Sequence, residues 1–472
     1  MPFVPAGKGL SKRAKKFNVL FIIADDLRPE LGSYGNQMIK TPNIDRIARQ
    51  GTRFDRAYAQ YPLCNPSRSS LLTGRYPTQT RIYNNNDYFR RTFPDWITLP
   101  QYFKQNGYAT LRSGKIFHGG IDDQVSWTEG GEPTDPAITE RGKTPPVQPK
   151  KESEDDENES ATPQPQEPNR KASNSDRIIV LPNDGESHGD YKAATRAINM
   201  LEKYKDKPFF LAVGFVKPHS PPTAPKKFFE LYDVDKIQLP IDFSVRPTAP
   251  AGFPEVSVPA RNTDLFIGRD ASPEQAREMI RAYYASTGFM DAQVGRVLDA
   301  LEKNGLQDDT IIVFWGDHGY HLGEKGKWSK AYSLFEIGLR VPLIIAVPKG
   351  KPQATEGVVE SLDLYRTLAD LCGLPQPEKV EGKTLAPLLK NPKAKWDHPA
   401  FSVMENHGVF GRSVRYKNWH YAEYEDGKLG AMLFDISEDP HELKNLADDE
   451  KYAKTVIEMK NLLKRIPTEN KK

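Results

Sequence analysis

The feature that most limits what this chain can fold into is a set of four apolar runs. They are residues 19–24 (VLFIIA), 209–215 (FFLAVGF), 311–315 (IIVFW) and 341–347 (VPLIIAV). A strand with one wet face alternates apolar and polar residues. A run that is apolar at nearly every position has to be covered on both faces, as in a parallel sheet sandwiched by helices. The stretches between the runs fit that picture, because 43–50, 191–205 and 273–304 have helical spacing. In the last of these Met279, Ile280, Tyr283, Met290, Val294, Val297, Leu298 and Leu301 recur at helical intervals. The expected fold is therefore α/β, a large mixed, mostly parallel sheet between helical layers.

The 472 residues divide unevenly. Residues 17–394 are expected to form the main domain. Within it, 128–176 turns to Pro, Glu, Ser, Lys and Gln ("KKESEDDENES") and cannot bury enough apolar surface to offset its ordering entropy, so it reads as a disordered insertion. From 395 to 472 the pattern changes to short strands near 400–404, 413–415, 419–424 and 431–436, then a helix near 452–463. That predicts a smaller α+β unit on an antiparallel sheet.

Charge excludes some partners. Lys and Arg number 66 against 63 Asp and Glu, and the basic residues cluster only at Lys8, Lys12, Arg13, Lys15 and Lys16. Residues 1–16 thus read as a solvated basic arm, and nucleic-acid binding is not indicated. No apolar run approaches the roughly 20 residues of a membrane-spanning helix, so no transmembrane segment is expected. The arm followed by 17–24 mimics a signal peptide, but Asp25 and Asp26 come at once and no small-residue cleavage site appears. The two cysteines, Cys64 and Cys372, are too few and too far apart for a disulfide framework.

Ligands of open α/β sheets bind beyond the carboxyl ends of the strands, so the residues just after each run matter most. Asp25 and Asp26 succeed the first, Lys217 and His219 the second, and Asp317 and His318 the third. A shorter candidate strand at 108–112 leads into Lys115 and His118. A single Asp after a strand is usually a helix cap or turn former. Two adjacent ones at a buried strand end repel each other unless a cation lies between them. With Asp317 they make an oxygen set suited to a hard divalent ion, calcium or magnesium, with His318 as a further candidate ligand. Lys115 and Lys330 lie in Gly-rich, aromatic-flanked turns ("SGKIFHGG", "GEKGKWSK") and are either surface charges or site cations.

Cys64 opens "CNPSRSSLLTG". Pro66 suits a first helical turn and Gly74 a helix end. A cysteine there sits in the positive field of a helix N-terminus, which favours thiolates and anions, and Arg68 adds a fork-shaped donor for an oxyanion. Three readings compete: a small buried cysteine, a thiol nucleophile with a histidine partner, or a residue whose sulfur does not survive. The third arises because soft sulfur is a poor partner for a hard cation.

Cys64-Asn65-Pro66-Ser67-Arg68 with "SSLLTGR" resembles the signature of type I sulfatases of the alkaline phosphatase superfamily. The resemblance extends through "ADDLRPELGSYGN", "TPNIDRIARQGTRFDRAYAQ", "SGKIFHGG", "FLAVGFVKPHSP", "GDHGYHLGEKGKWSK" and "LFDISEDPHELKNLA". "ADDLRP", "RIYNNNDYFR" and His318 resemble its iduronate-2-sulfatase branch. This resemblance implies that a separate maturation enzyme oxidises Cys64 to Cα-formylglycine (3-oxoalanine). It implies one calcium ion held by Asp25, Asp26, Asp317, His318 and the modified Cys64. The hydrated aldehyde would attack sulfur, aided by Asp317. His219, with Lys330, would serve the leaving sugar oxygen, and His118 would take the proton as sulfate departs. Arg68, Lys115 and Lys330 would balance charge. The implied substrate is a sulfated saccharide, a uronic acid 2-O-sulfate in a glycosaminoglycan or other sulfated polysaccharide. The resemblance also implies a periplasmic or secreted protein. Tyr320 and His321 after "GDHG" are expected to line the sugar pocket. Two other readings are a phosphatase or phosphonate monoester hydrolase of the same superfamily, and a non-catalytic sulfated-glycan-binding protein.

Overall fold

The computed structural model describes residues 16–134 and 176–467. The core of 128–176 and the basic arm up to residue 15 therefore lie outside the described residues. The borders of that expected insertion are structured. Arg112 N donates to Glu129 O, and Asp176 accepts from Phe266 N and Arg269 Nε. Lys16 Nζ donates to Asn106 O and lies 5.2 Å from the Tyr108 ring centre.

The strands of the main part, in chain order, are β1 (Asn18–Asp25), β2 (Thr52–Tyr58), β3 (Ala109–Gly114), β4 (Ile179–Leu181), β5 (Phe209–Pro218), β6 (Thr223–Pro225), β7 (Thr310–Gly316), β8 (Arg340–Ala346) and β9 (Gln353–Glu360). Seven of them form one sheet in the order β3-β5-β1-β7-β8-β2-β9, and β4 pairs with β6. β3, β5, β1 and β7 run parallel, as do β2 and β9. The run at 341–347 departs from the expected parallel arrangement. It forms β8, antiparallel to both β7 and β2. Its continuous apolarity reported burial on both faces, which a central antiparallel strand shares with a parallel one.

The two-sided burial is explicit in β1, where all eight residues are buried. Val19, Phe21 and Ile23 join one core and Leu20, Ile22 and Ala24 the other. The second core is roofed by α1 (Pro42–Ala48), α3 (Gly189–Tyr204) and α4 (Pro273–Lys303). The first is covered by α2 (Cys64–Thr73) and α5 (Asp363–Leu371). Ser272 caps α4 through a reciprocal pairing with Gln275, which fixes where this 31-residue helix starts.

The C-terminal strands β10 (Ala400–Asn406), β11 (Val409–Tyr416), β12 (Trp419–Tyr424) and β13 (Ala431–Asp435) form an antiparallel sheet, followed by α6 (Ala453–Leu463). This sheet shares its core with the main part. Val403, Met404, Val414 and Phe434 pack in one cluster with Tyr58, Tyr76, Phe335 and Leu362. No helix among the described residues is long and apolar enough to cross a membrane.

Candidate active site

The four strands whose ends carry the suspected chemistry are neighbours, in the order β3-β5-β1-β7. Because they are parallel, their carboxyl ends lie on one edge of the sheet, and residues nearly 300 positions apart meet there. Asp25 ends β1, and Asp26 turns the chain with φ 58°, a left-handed backbone that costs a non-glycine residue energy. Tyr283 of α4 secures this turn. Its hydroxyl donates to Asp26 O at 2.7 Å and accepts from Arg28 N at 3.1 Å. Asp317 and His318 follow β7, and Asp317 Oδ1 accepts from the backbone N–H of Asp26 and of His318.

α2 drives Cys64 into this edge. All ten of its residues are buried, and it ends at Gly74, whose φ of 65° and contact with Val380 leave no room for a Cβ. Cys64 Sγ lies 3.3 Å from Asp25 Oδ1 and 3.3 Å from His318 Nε2. The expectation that the helix N-terminus would favour a thiolate is reversed. Burial first, and then the Asp25 charge, push the Cys64 thiol well above its usual range. The unmodified sulfur is therefore a poor nucleophile. Cys372 is buried and makes no disulfide.

Asp25, Asp26, Cys64 and His318 each offer a ligand atom within 4.8 Å of all the others, and Asp317 Oδ1 lies 3.6 Å from His318 Nε2. Two observations show that this set fits a hard cation. Asp26 Oδ1 is buried and accepts no hydrogen bond among the described residues. Burial and the neighbouring Asp25 charge raise the Asp317 pKa, as expected where carboxylates crowd without a cation between them. Sulfur is the clearest mismatch, and the His318 imidazole is a less usual partner for such an ion than the carboxylates.

Fixed cations surround the set. Arg68, fully buried, donates from Nε to Asp317 Oδ2 at 2.8 Å and from Nη1 to the carbonyls of Lys115 and Ile116. Burial works against its charge, but Asp317 and Asp25 outweigh it and raise its pKa. Its Nη2 makes no hydrogen bond among the described residues and stands 3.7 Å from Asp25 Oδ2. Lys115 Nζ is 2.5 Å from Asp25 Oδ2. Burial pushes the Asp25 carboxyl up, yet Lys115 and Arg68 prevail and hold it well below the usual carboxylate range.

The histidines differ. His219 has Nδ1 2.7 Å from Ser220 O, so Nδ1 carries the proton and Nε2 accepts from Lys330 Nζ at 3.1 Å. His118 has a buried Nδ1 without a hydrogen-bond partner among the described residues. Burial, then the Lys115 charge, push its pKa well down, which keeps the ring neutral. Lys330 is fully buried and pairs with Asp26 at 3.3 Å and Asp264 at 3.2 Å, so it is no surface charge. Lys217 is not part of this group, because its Nζ donates to the carbonyls of His219 and Pro221.

Tyr320 and His321 depart from expectation. Both are buried. The Tyr320 ring stacks on Tyr283, and His321 Nε2 meets Ser333 Oγ at 2.7 Å, so packing occupies the pair expected to line a sugar pocket. Two residues escape a reading of the sequence. Tyr283 looks like one more apolar position on α4. Asp264 lies in an irregular segment with no periodic signal.

Comparisons with known proteins bear on the family. The Sulfatase family profile matches residues 17–374, and that of the N-sulphoglucosamine sulphohydrolase C-terminal region matches 323–469. Iduronate 2-sulfatase of Mus musculus is 37% identical over 409 residues, which cover 77% of this chain and 70% of that protein. Arylsulfatase K of Homo sapiens is 28% identical, covering 94% of this chain and 81% of its own length. A solved 2-O GAG sulfatase superposes with a TM-score of 0.66 at 26% identity, over 95% of this chain and 91% of that one.

Proposed function

Since this chain belongs to the sulfatase family, we propose that it removes a sulfate ester from a sulfated sugar, the 2-O-sulfate of a uronic acid in glycosaminoglycan-type or other sulfated polysaccharide fragments. The observation that carries this reading is the position of Cys64. Its sulfur lies among Asp25, Asp26 and His318, in a buried site whose carboxylates suit a hard cation. Support for the sugar and linkage comes from the similarity to an iduronate 2-sulfatase and to a 2-O GAG sulfatase.

In this reading a maturation enzyme converts Cys64 to formylglycine, whose hydrate supplies an oxygen nucleophile in place of the thiol. Asp25, Asp26, Asp317, His318 and the modified Cys64 would hold a calcium ion, which supplies positive charge against the sulfate. The remaining work falls to the chain's own groups. Arg68 Nη2, without a hydrogen bond among the described residues, is a donor for an anionic oxygen. Lys115 and Lys330 add charge from either side of Asp25 and Asp26. The Lys330–His219 pair offers a proton to the departing sugar oxygen. His118, neutral and with a buried unpaired nitrogen, accepts one when sulfate is released. The buried walls exclude bulk water from these transfers.

Mass spectrometry of tryptic peptide 57–68 from active protein tests the modification. The aldehyde mass is expected, and cysteine alone in fully active protein refutes the nucleophile. Assays on disaccharides ending in 2-O-sulfated iduronate, on 6-O- and N-sulfated counterparts and on a matched phosphate ester test the substrate. Faster turnover of any competitor than of the 2-O-sulfate overturns the assignment.

A further inference from the structure

The loop between β6 and α4 carries a buried carboxylate with no role in the cation set, Asp264. The loop is held rigidly against the segment that bears Lys330. Trp328 N donates to Asn262 Oδ1 at 2.8 Å, Leu265 N donates to Trp328 O at 3.1 Å, and Asn262 Nδ2 donates to Gly326 O at 3.2 Å. The Phe266 and Trp328 rings lie 4.9 Å apart. Two sides of one residue are thus tied to the strip 326–328, and Asp264, 1% exposed, is delivered between them.

What it meets is Lys330 Nζ, at 3.2 Å from Oδ2. Around the ammonium lie Asp264 Oδ2 as an ion pair, and His219 Nε2 at 3.1 Å and Asp26 Oδ2 at 3.3 Å as hydrogen-bond partners. Asp26 belongs to the candidate metal ligands, whereas Asp264 lies outside that set, its charge also acting on buried Lys327. Asp264 thus holds the ammonium by charge, while Lys330 donates to His219 Nε2 and Asp26 Oδ2. Without Asp264 the flexible four-carbon lysine stem loses an ion-pair anchor that lies outside the metal ligands.

Resting on the sulfatase reading, we propose that Asp264 is a positioning residue for the leaving-group step, acting through Lys330. In that step the bond from sulfur to the sugar oxygen breaks, its electron pair goes to that oxygen, and the oxygen takes a proton from the Lys330–His219 pair. Asp264 touches neither sulfur nor sugar. Its charge fixes where the lysine ammonium that serves them sits.

The test uses matured full-length protein and the sulfated disaccharide, comparing wild type with Asp264→Asn, Lys330→Ala and the double variant. Asp264→Asn keeps size and shape. It is expected to lower kcat at least about 30-fold, as for loss of an aligned proton donor. KM and the inhibition constant of inorganic sulfate are expected to stay within about threefold, since the anion pocket is untouched. In the Lys330→Ala background the same change is expected to cost less than about threefold, because its target is gone. A merely structural role gives a different pattern. KM and sulfate inhibition then worsen with kcat, or the two losses multiply, and either result overturns the proposal, as does an unchanged kcat. A lowered melting temperature with the predicted split intact still supports it. If aldehyde-bearing wild type releases no sulfate, the sulfatase reading itself fails, and this inference falls with it.

Discussion

Tyr283 reaches the candidate site through backbone groups, and removing its hydroxyl is predicted to damage the site. In Tyr283→Phe two buried backbone groups lose their partner, the Asp26 carbonyl (2.7 Å) and the Arg28 amide (3.1 Å). An orphaned buried group costs about 1–3 kcal/mol, so the two together cost roughly 2–4 kcal/mol after some relaxation. Asp26 already holds a left-handed backbone (φ 58°), a strain of about 1–3 kcal/mol that persists only while its surroundings enforce it. The variant therefore has reason to let the turn relax. Thermal unfolding is expected to begin roughly 2–4 °C earlier, because an unfolding entropy of about 2.1 cal/mol/K per residue makes each kcal/mol worth about 1 °C in a chain this long. Because Asp26 moves with the turn, calcium should also bind at least about tenfold more weakly, as when the support of a ligand is removed. Scanning fluorimetry across a calcium titration measures both. A variant that melts within about 1 °C of wild type and binds calcium equally well refutes the argument, since loss of two buried hydrogen bonds has to register somewhere.

Other parts of the structure carry three further predictions. Cys64, Pro66 and Arg68 are all buried in α2, so the maturation enzyme is expected to convert an unfolded peptide spanning 57–75 but not folded, unmodified protein; aldehyde formation in the folded protein, read by mass spectrometry, contradicts this. Chelation of divalent ions is expected to lower the melting temperature of wild type, whereas Asp26→Asn should lose most of that response; saturating calcium at about 100 times its Kd supplies roughly 2.7 kcal/mol of stabilisation. Glu360 and Asp363 form a buried acidic pair, with Tyr76 Oη donating to Glu360 Oε2 and Phe401 N to Oε1. Burial, then the neighbouring Asp363 charge, raise Glu360 well above its usual value, and burial brings Asp363 to about 7. Both values are raised in the folded state, so the pair's contribution is full at acid pH and lost as pH rises through about 7. Glu360→Gln should flatten the fall in melting temperature between mildly acidic and mildly alkaline buffers, and an unchanged slope argues against the pair.

Much of the site is legible in the sequence. Asp25, Asp26, Asp317, His318, Lys115, His118 and His219 each come after an apolar run, and a parallel sheet sends every such position to the same edge. Lys330 is harder, because nothing local separates a buried lysine from a surface one in "GEKGKWSK". Tyr320 and His321 look like pocket residues only because they come after a site motif, and packing against Tyr283 and Ser333 claims them instead.

The sequence by itself determined the sandwiched sheet, the residues at its strand ends, and the mismatch between Cys64 and a hard cation. These come from local patterns: continuous apolarity, turn residues and the chemistry of side chains. Tertiary structure alone decided that β3, β5, β1 and β7 are adjacent, and that β8 runs the other way. It also decided that the Cys64 thiol is pushed up and not down, and that Asp264 and Tyr283 serve the site. Strand order is set by how distant faces pack. Protonation is set by burial and by charges hundreds of residues away along the chain, and neither leaves a mark in any short stretch of sequence.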